Sequence, residues 1–321
     1  MGANANYVDA ATLKTLSKLS SWRTATAIAI DWAIIALAIW TGIASDSWLV
    51  YFPVILIIAG RMQALAGLIH DFAHYRFIAS KRLSDAIGDP LLAWPILATI
   101  DGYRRNHLAH HRYTNTDRDP DWVIKFGTRE FTFPQEMRFA ALNFLGYFVG
   151  VSSLRDMRSV LTRIQAADPF SRRYKIVRLA YYLLLATAFT ALGIWKEVVL
   201  YWLVPYFTVF FLLLYYRSVA EHFGVTMEYD HELTHTRTVI PHFWETWFIS
   251  PHGLHFHLEH HIYPSVPFYR LRDLHDAMMR NEDYAKGAHI TRGYTTGLLR
   301  EVWLDGWRRK SSRQRATAPA E

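Results

Sequence analysis

Residues 48–74 read WLVYFPVILIIAGRMQALAGLIHDFAH. From Trp48 to Ile69 the stretch is almost unbroken apolar sequence, and at about 1.5 Å per residue a helix of that length crosses a hydrocarbon core of roughly 30 Å. It ends in His70 and His74, spaced i, i+4, so a helix that continues past the membrane projects both rings from one face. A span that delivers paired imidazoles to the membrane edge is the feature around which the rest of the chain is read.

Residues 24–44, 176–195 and 197–216 are apolar runs of similar length. Only Ser45, Asp46 and Ser47 part the first of them from 48–69, and little more than Lys196 and Glu197 parts the last two, so each pair reads as a tight helical hairpin. Hydrophobic residues make up 51% of the 321, which excludes a disordered chain. The net charge of +7 does not indicate nucleic acid, because Lys and Arg lie beside the apolar runs, where they set topology. Lys14, Lys18 and Arg23 precede the first hairpin, Arg76, Lys81, Arg104, Arg105, Arg112 and Arg118 lie between the hairpins, and the tail is basic. The positive-inside rule puts these three regions in the cytoplasm and the hairpin tips outside, flanked by Trp40, Trp48, Trp195 and Trp202.

Residues 1–23 do not read as a signal peptide, and no repeat or linker marks a second domain. The expected fold is a single domain, 1–321, an all-α integral membrane protein with four transmembrane helices in two hairpins. Segments 70–175 and 217–321 are expected to form a cytoplasmic, helical, histidine-rich cap, with both termini cytoplasmic. Two weaker apolar stretches, 91–100 and 139–153, are too short to cross and are expected to be interfacial or re-entrant helices. Inside the first hairpin, Asp31 and Arg61 are equally far in sequence from Asp46 at the tip. A lone charge at membrane depth costs at least about 2.5–3.5 kcal/mol, so the two are expected to face each other as an ion pair toward the bundle interior.

The chain has 16 histidines and no cysteine. Disulfides, zinc ribbons, iron–sulfur clusters and thiolate nucleophiles are excluded, and any metal is held by nitrogen or oxygen. His107, His110 and His111 form HxxHH, and His257, His260 and His261 repeat it before Tyr263-Pro264. With His70, His74 and His222, which follows the fourth span, they make nine imidazoles reachable from one membrane face. A lone buried histidine is usually a hydrogen-bonded core residue, but nine neutral rings together have little structural use without a metal. Nine exceed the needs of one ion and suit two ions of coordination number about five, with room for oxygen species. An all-nitrogen pair of redox metals beside a membrane points to iron and dioxygen.

Two other readings are weaker. His231-Glu232-Leu233-Thr234-His235 spells HExxH, the pattern of a zinc metalloprotease, and Glu228 and Glu232 begin two overlapping Glu-x-x-His motifs. Such a zinc motif must lie on a helix, and TMEYDHELTHTRTV has no apolar face, so a loop is expected. A metal transporter would place its ligands inside the spans near the bilayer midplane, and none of the nine lies there.

HDFAH at 70–74, HLAHHRYTNTDRDPDW at 107–122, RSVAEHFG at 217–224 and HFHLEHHIYPSVP at 255–267 resemble the membrane fatty acid desaturase superfamily, from about residue 48 to 275. The resemblance implies a non-haem di-iron centre of two Fe2+ ions that uses dioxygen to abstract hydrogen from an unactivated C–H bond of a lipid or acyl chain. The implied ligands are His70, His74, His107, His110, His111, His222, His257, His260 and His261. His252 and His255 fall outside the third box and read as supporting or surface groups. Asp71, Asp119, Asp121, Glu221 and Glu259 are candidates to accept the outer N–H of a ligating ring, although Asp119-Pro120-Asp121 also reads as a plain turn. Ser218 stands where acyl-CoA members have an asparagine, so the chain looks like the bacterial-type branch, with the bacterial inner membrane as its expected location. Desaturation is the expected reaction, with hydroxylation or ketolation of a carotenoid or alkyl chain as the alternative. The sequence shows no dinucleotide fingerprint and no cytochrome b5-like motif, so electrons are expected from a ferredoxin, or from a cytochrome b5 and its reductase.

Overall fold

Asp46 and Ser47 join the first two long helices, α1 (Ser21–Ser45) and α2 (Trp48–Ala73), with Asp46 in the left-handed region at φ 43°. In this computed structural model, which describes residues 6–166, 171–224, 227, 229 and 231–304, the chain then forms α3 (Ile100–Tyr113), α4 (Met137–Phe148) and α5 (Val151–Ala166). A second hairpin follows, α6 (Arg172–Leu192) and α7 (Trp195–His222). Beyond it lie α8 (Glu245–Phe248), α9 (His257–Ile262) and α10 (Leu271–Met278). Among the described residues α1, α2, α6 and α7 are each long and apolar enough to cross a membrane. Both histidine-bearing spans overrun their apolar runs: α2 continues to Ala73, with His70 on the helix and His74 at its C-cap, and α7 continues to His222. Pro205, which lacks an N–H, sits between two π turns of α7, Val199–Leu203 and Tyr206–Phe210.

α2 is the centre of the membrane part. Of its most apolar stretch 72% is buried, against none for α6, whose Leu179, Leu183, Leu184 and Leu192 remain exposed. Ile58, Met62, Leu65, Leu68 and Phe72 of α2 are fully enclosed. Packing of this kind, rather than escape from water, is what holds helices together in lipid. Gly60 admits α8 alongside: a Cβ there would lie 3.0 Å from the Trp247 carbonyl oxygen. Between α1 and α2, Arg61 Nη1 donates to Asp31 Oδ1 at 2.9 Å with both side chains buried, the ion pair expected from their equal distance to the tip.

The two weaker apolar stretches are helical but irregular. Residues 91–100 are not one regular helix but a π-helical segment (Asp89–Ala93), a 3-10 segment (Trp94–Ile96) and a reversal at Leu97, φ 60°, before α3 begins. Asp89-Pro90 and Pro95 prevent a regular ladder, and the freed carbonyls are taken by aromatic donors from the spans. Trp32 of α1 donates to Leu91 O at 2.9 Å, Tyr181 and Tyr182 of α6 to Pro90 O at 3.2 Å and Trp94 O at 3.0 Å, and Trp202 and Tyr206 of α7 to Pro95 O at 3.0 Å and Ile96 O at 2.9 Å. Irregular backbone beside a membrane survives where protein satisfies it in this way. Stretch 139–153 is not one helix but the junction of α4 and α5, bent by 84°, because Gly150 takes φ +81°. The all-α expectation also misses a short parallel strand pair, Thr238–Ile240 with Ile290–Arg292. Glu228 and the basic tail beyond Leu304 lie outside the described residues.

Candidate metal centre

The nine histidines converge, and helical phase decides how they divide. At about 100° per residue, the fifth residue of an HxxHH motif lies about 40° around from the first, and the fourth lies about 60° the other way. On α3 this sends His107 and His111 to one side and His110 to another; on α9 it separates His257 and His261 from His260. The outcome is two groups: His70, His74, His107, His111 and His260, and His110, His222, His257 and His261, with one ligand atom per residue lying within 4.8 Å of the others in its group. The second box thus contributes two rings to the first group and one to the second, and the third box does the reverse. The groups adjoin, with the His111 and His261 rings stacked at 4.2 Å.

The donor atoms are set for a cation. Nε2 of His111 lies 3.0 Å from Nε2 of both His107 and His260, and Nε2 of His222 lies 2.8 Å from Nε2 of His257. His70 Nε2, His74 Nε2, His222 Nδ1 and His261 Nε2 are buried with no hydrogen-bond partner. A buried polar atom left unsatisfied costs about 1–3 kcal/mol, and a shared metal removes that cost for several nitrogens at once. Burial, with neighbouring positive charge next, holds His107, His257, His260 and His261 well below the usual imidazole range and takes His74 to about 4 and His111 to about 2. Neutral imidazole is the metal-binding form. Two all-nitrogen groups of borderline-soft donors fit a pair of transition-metal ions such as iron.

A family model described as fatty acid desaturase matches residues 46–294, which contain all nine of these histidines. The chain belongs to the fatty acid desaturase family. Membership makes it an oxidoreductase. It is 28% identical over 271 residues to dihydrorhizobitoxine desaturase of Bradyrhizobium elkanii, covering 81% of this chain and 76% of that protein. It is 28% identical over 257 residues to a Synechocystis protein named sn-1 acyl-lipid omega-3 desaturase (ferredoxin), covering 73% and 68%. It is 25% identical over 268 residues to an endoplasmic reticulum omega-3 fatty acid desaturase of Nicotiana tabacum, covering 76% and 68%.

Around this desaturase-family site the five candidate carboxylates have different tasks. Asp119, fully enclosed, accepts the Nδ1–H of His110 at 2.7 Å, and its two oxygens also take the backbone N–H groups of Asn115, Asp121 and Trp122. Glu221 accepts from Arg217 at 2.5 Å and stands 3.7 Å from His257 Nδ1. The other three bind elsewhere. Asp71 accepts the Phe268 N–H, Asp121 pairs with Lys125, which also donates to Ser218, and Glu259 faces away from the clusters to accept from His275, Tyr284 and Thr238. His252 is not a surface group: its Nε2 donates to Asp31 at 2.7 Å. His255 has its carbonyl bonded by Val239 N–H.

Two buried arginines escaped the sequence reading. Arg104 donates to Phe72 O and Ala73 O at the end of α2 and pairs with Asp85; Arg237 donates to Ala220 O and Phe223 O at the end of α7 and pairs with Glu301. Each guanidinium satisfies the open carbonyls of a span just where that span presents its histidines, a position the helix dipole also favours. The spacing of Arg104, three residues before His107, was the one available signal. The HELTH segment is a set of turns in which Leu233 N–H bonds His231 Nδ1 and His235 Nδ1 donates to His231 O, so the two rings lack the shared helical face of a zinc protease.

Proposed function

We propose that this enzyme desaturates an acyl chain, removing two hydrogens from adjacent methylenes with dioxygen as co-substrate. The observation that carries the reading is the collapse of three histidine boxes and His222 into two buried groups of five and four. In this reading His70, His74, His107, His111 and His260 hold one iron and His110, His222, His257 and His261 the other. Iron bound there supplies the activation of dioxygen and the abstraction of hydrogen. The chain's own residues orient and enclose: Asp119 fixes the His110 tautomer and leaves Nε2 as its donor atom, Glu221 aligns with His257, and Arg104 and Arg237 hold the helix ends in place.

Forming the double bond while dioxygen becomes two waters requires two electrons and two protons beyond the substrate's own hydrogens. The electrons come from an external carrier, a ferredoxin or a cytochrome b5 with its reductase; the name of the Synechocystis relative specifies ferredoxin. One relative is named for dihydrorhizobitoxine and others for acyl lipids, and Ile240, Phe243, Phe256 and Phe268 give the cleft, which also holds His252, His255 and Arg272, an apolar side against which an acyl chain can lie. Mass spectrometry of lipids after expression in a host of defined lipid composition tests the reaction. Loss of two hydrogens is expected; gain of one oxygen atom would replace desaturation with hydroxylation.

Both termini and the histidine clusters lie on the cytoplasmic side, of the bacterial inner membrane, in this proposal. The chain has no cysteine, so Ser47→Cys introduces a unique label at the first hairpin tip. A membrane-impermeant maleimide is expected to label it from outside intact cells, and labelling only after lysis would invert the topology.

A further inference from the structure

His252 belongs to no histidine box, yet it stands between two cavities. An open cleft of about 580 Å³, lined by Ile240, Phe243 and Arg272 among others, falls in the range of about 300–1,000 Å³ typical of small-molecule sites. A narrow pocket of about 10 Å³, room for roughly one water, touches His70, His257 and His260. His252, Gly253, Phe256 and Phe268 line both. These four residues form the partition between the open cleft and the imidazoles.

The partition is fastened to the membrane hairpin. His252 has left-handed backbone, φ 55° and ψ 37°, which residues with a Cβ rarely adopt. Its ring is held on one side by the 2.7 Å bond to Asp31 Oδ2 and on the other by Phe268, with ring centroids 4.9 Å apart. Asp31 Oδ1 takes Arg61 from α2, and Arg61 Nη2 in turn donates to the Trp247 carbonyl of α8. Arg61 and His70 lie on the same helix, so Asp31 fixes His252 against the element that carries part of the histidine cluster.

We propose that His252, anchored by Asp31, is a positioning residue that sets the register of the acyl chain, deciding which carbon lies against the histidine groups. This rests on the acyl-chain reading above. A chain passing from the cleft toward His70, His257 and His260 must cross the partition, and the place of His252 determines how much chain remains on the cleft side.

Two measurements on the purified full-length protein test it. Acyl chains bearing a diazirine at successive carbons are irradiated with the protein without reductant, so no turnover occurs, and the carbon that labels residues 252–260 is mapped by peptide mass spectrometry. Double-bond position is then read with reductant present. Wild type is expected to label through one narrow set of carbons and to give one position. His252→Ala is expected to shift or spread both by one or more carbons with bound iron unchanged, and His252→Gln, whose amide still donates to Asp31, to restore the wild-type pattern. If His252→Ala does not accumulate, Phe268→Ala thins the same partition and is expected to give the shift. Unchanged labelling in the variant that folds overturns the proposal, as does wild-type labelling confined to other segments. Loss of iron from His252→Ala also overturns it, since His252 would then support the metal site. Labelling that shifts while wild type yields no alkene would keep the register and defeat the desaturase reading instead.

Discussion

His110→Ala is expected to reduce oxidation to background and to lower bound iron from about two atoms per chain toward one, with little change in size-exclusion profile. His110 is the single ring that the second box contributes to the group of four, and without it only His222, His257 and His261 remain there. Its position is fixed by the enclosed Asp119, which accepts His110 Nδ1–H and three backbone N–H groups at once. Asp119→Asn turns one of those acceptors into a donor facing donors, and a change of this kind next to a ligating histidine costs about 10- to 100-fold in metal affinity. Elemental analysis and single-turnover activity check both variants. A protein that contains one zinc and loses activity on Glu232→Gln would transfer the chemistry to the HELTH segment, and full activity in His110→Ala would exclude the two-group centre.

Asp31→Asn and Arg61→Gln are each expected to cut the folded yield sharply, and the double variant to recover much of it. The pair is enclosed, so removing one partner leaves the other uncompensated, at about 3–5 kcal/mol in comparable buried pairs. Against total stabilities of about 5–15 kcal/mol that is a large fraction. Asp31→Asn strands Arg61 with the Trp247 carbonyl alone and weakens the hold on His252, whereas Arg61→Gln leaves the carboxylate with His252 as its partner. Asn and Gln together are neutral and can bond each other. Detergent-solubilised yield and thermal unfolding of the three variants check the expectation, and a double variant no better than the worse single would show that the two charges do not act as a pair.

The parts of the molecule that were legible in the sequence are those set by local quantities. The length of an apolar run settles whether a helix can span, which is why α1, α2, α6 and α7 match the four runs closely. The i, i+3, i+4 spacing of HxxHH settles that its rings leave the helix on neighbouring faces, so which histidines could gather was legible too. Even the Asp31–Arg61 pair follows from counting back from a two-residue turn, because antiparallel helices with equal rise put equal counts at equal depth. What stayed hidden depends on rotation about the helix axes and on partners far along the chain. The five-and-four division needs the relative orientation of α2, α3, α7 and α9, and no single box contains it. Arg104 and Arg237 cap spans that lie 31 and 17 residues away. Asp31 meets His252 across 221 residues. Stretch 139–153 bends at Gly150, where the dihedral is permitted by the residue but selected by its surroundings. A periodic pattern fixes which face a side chain leaves from; only packing decides what that face meets, because contact between distant segments depends on the whole set of helix rotations at once.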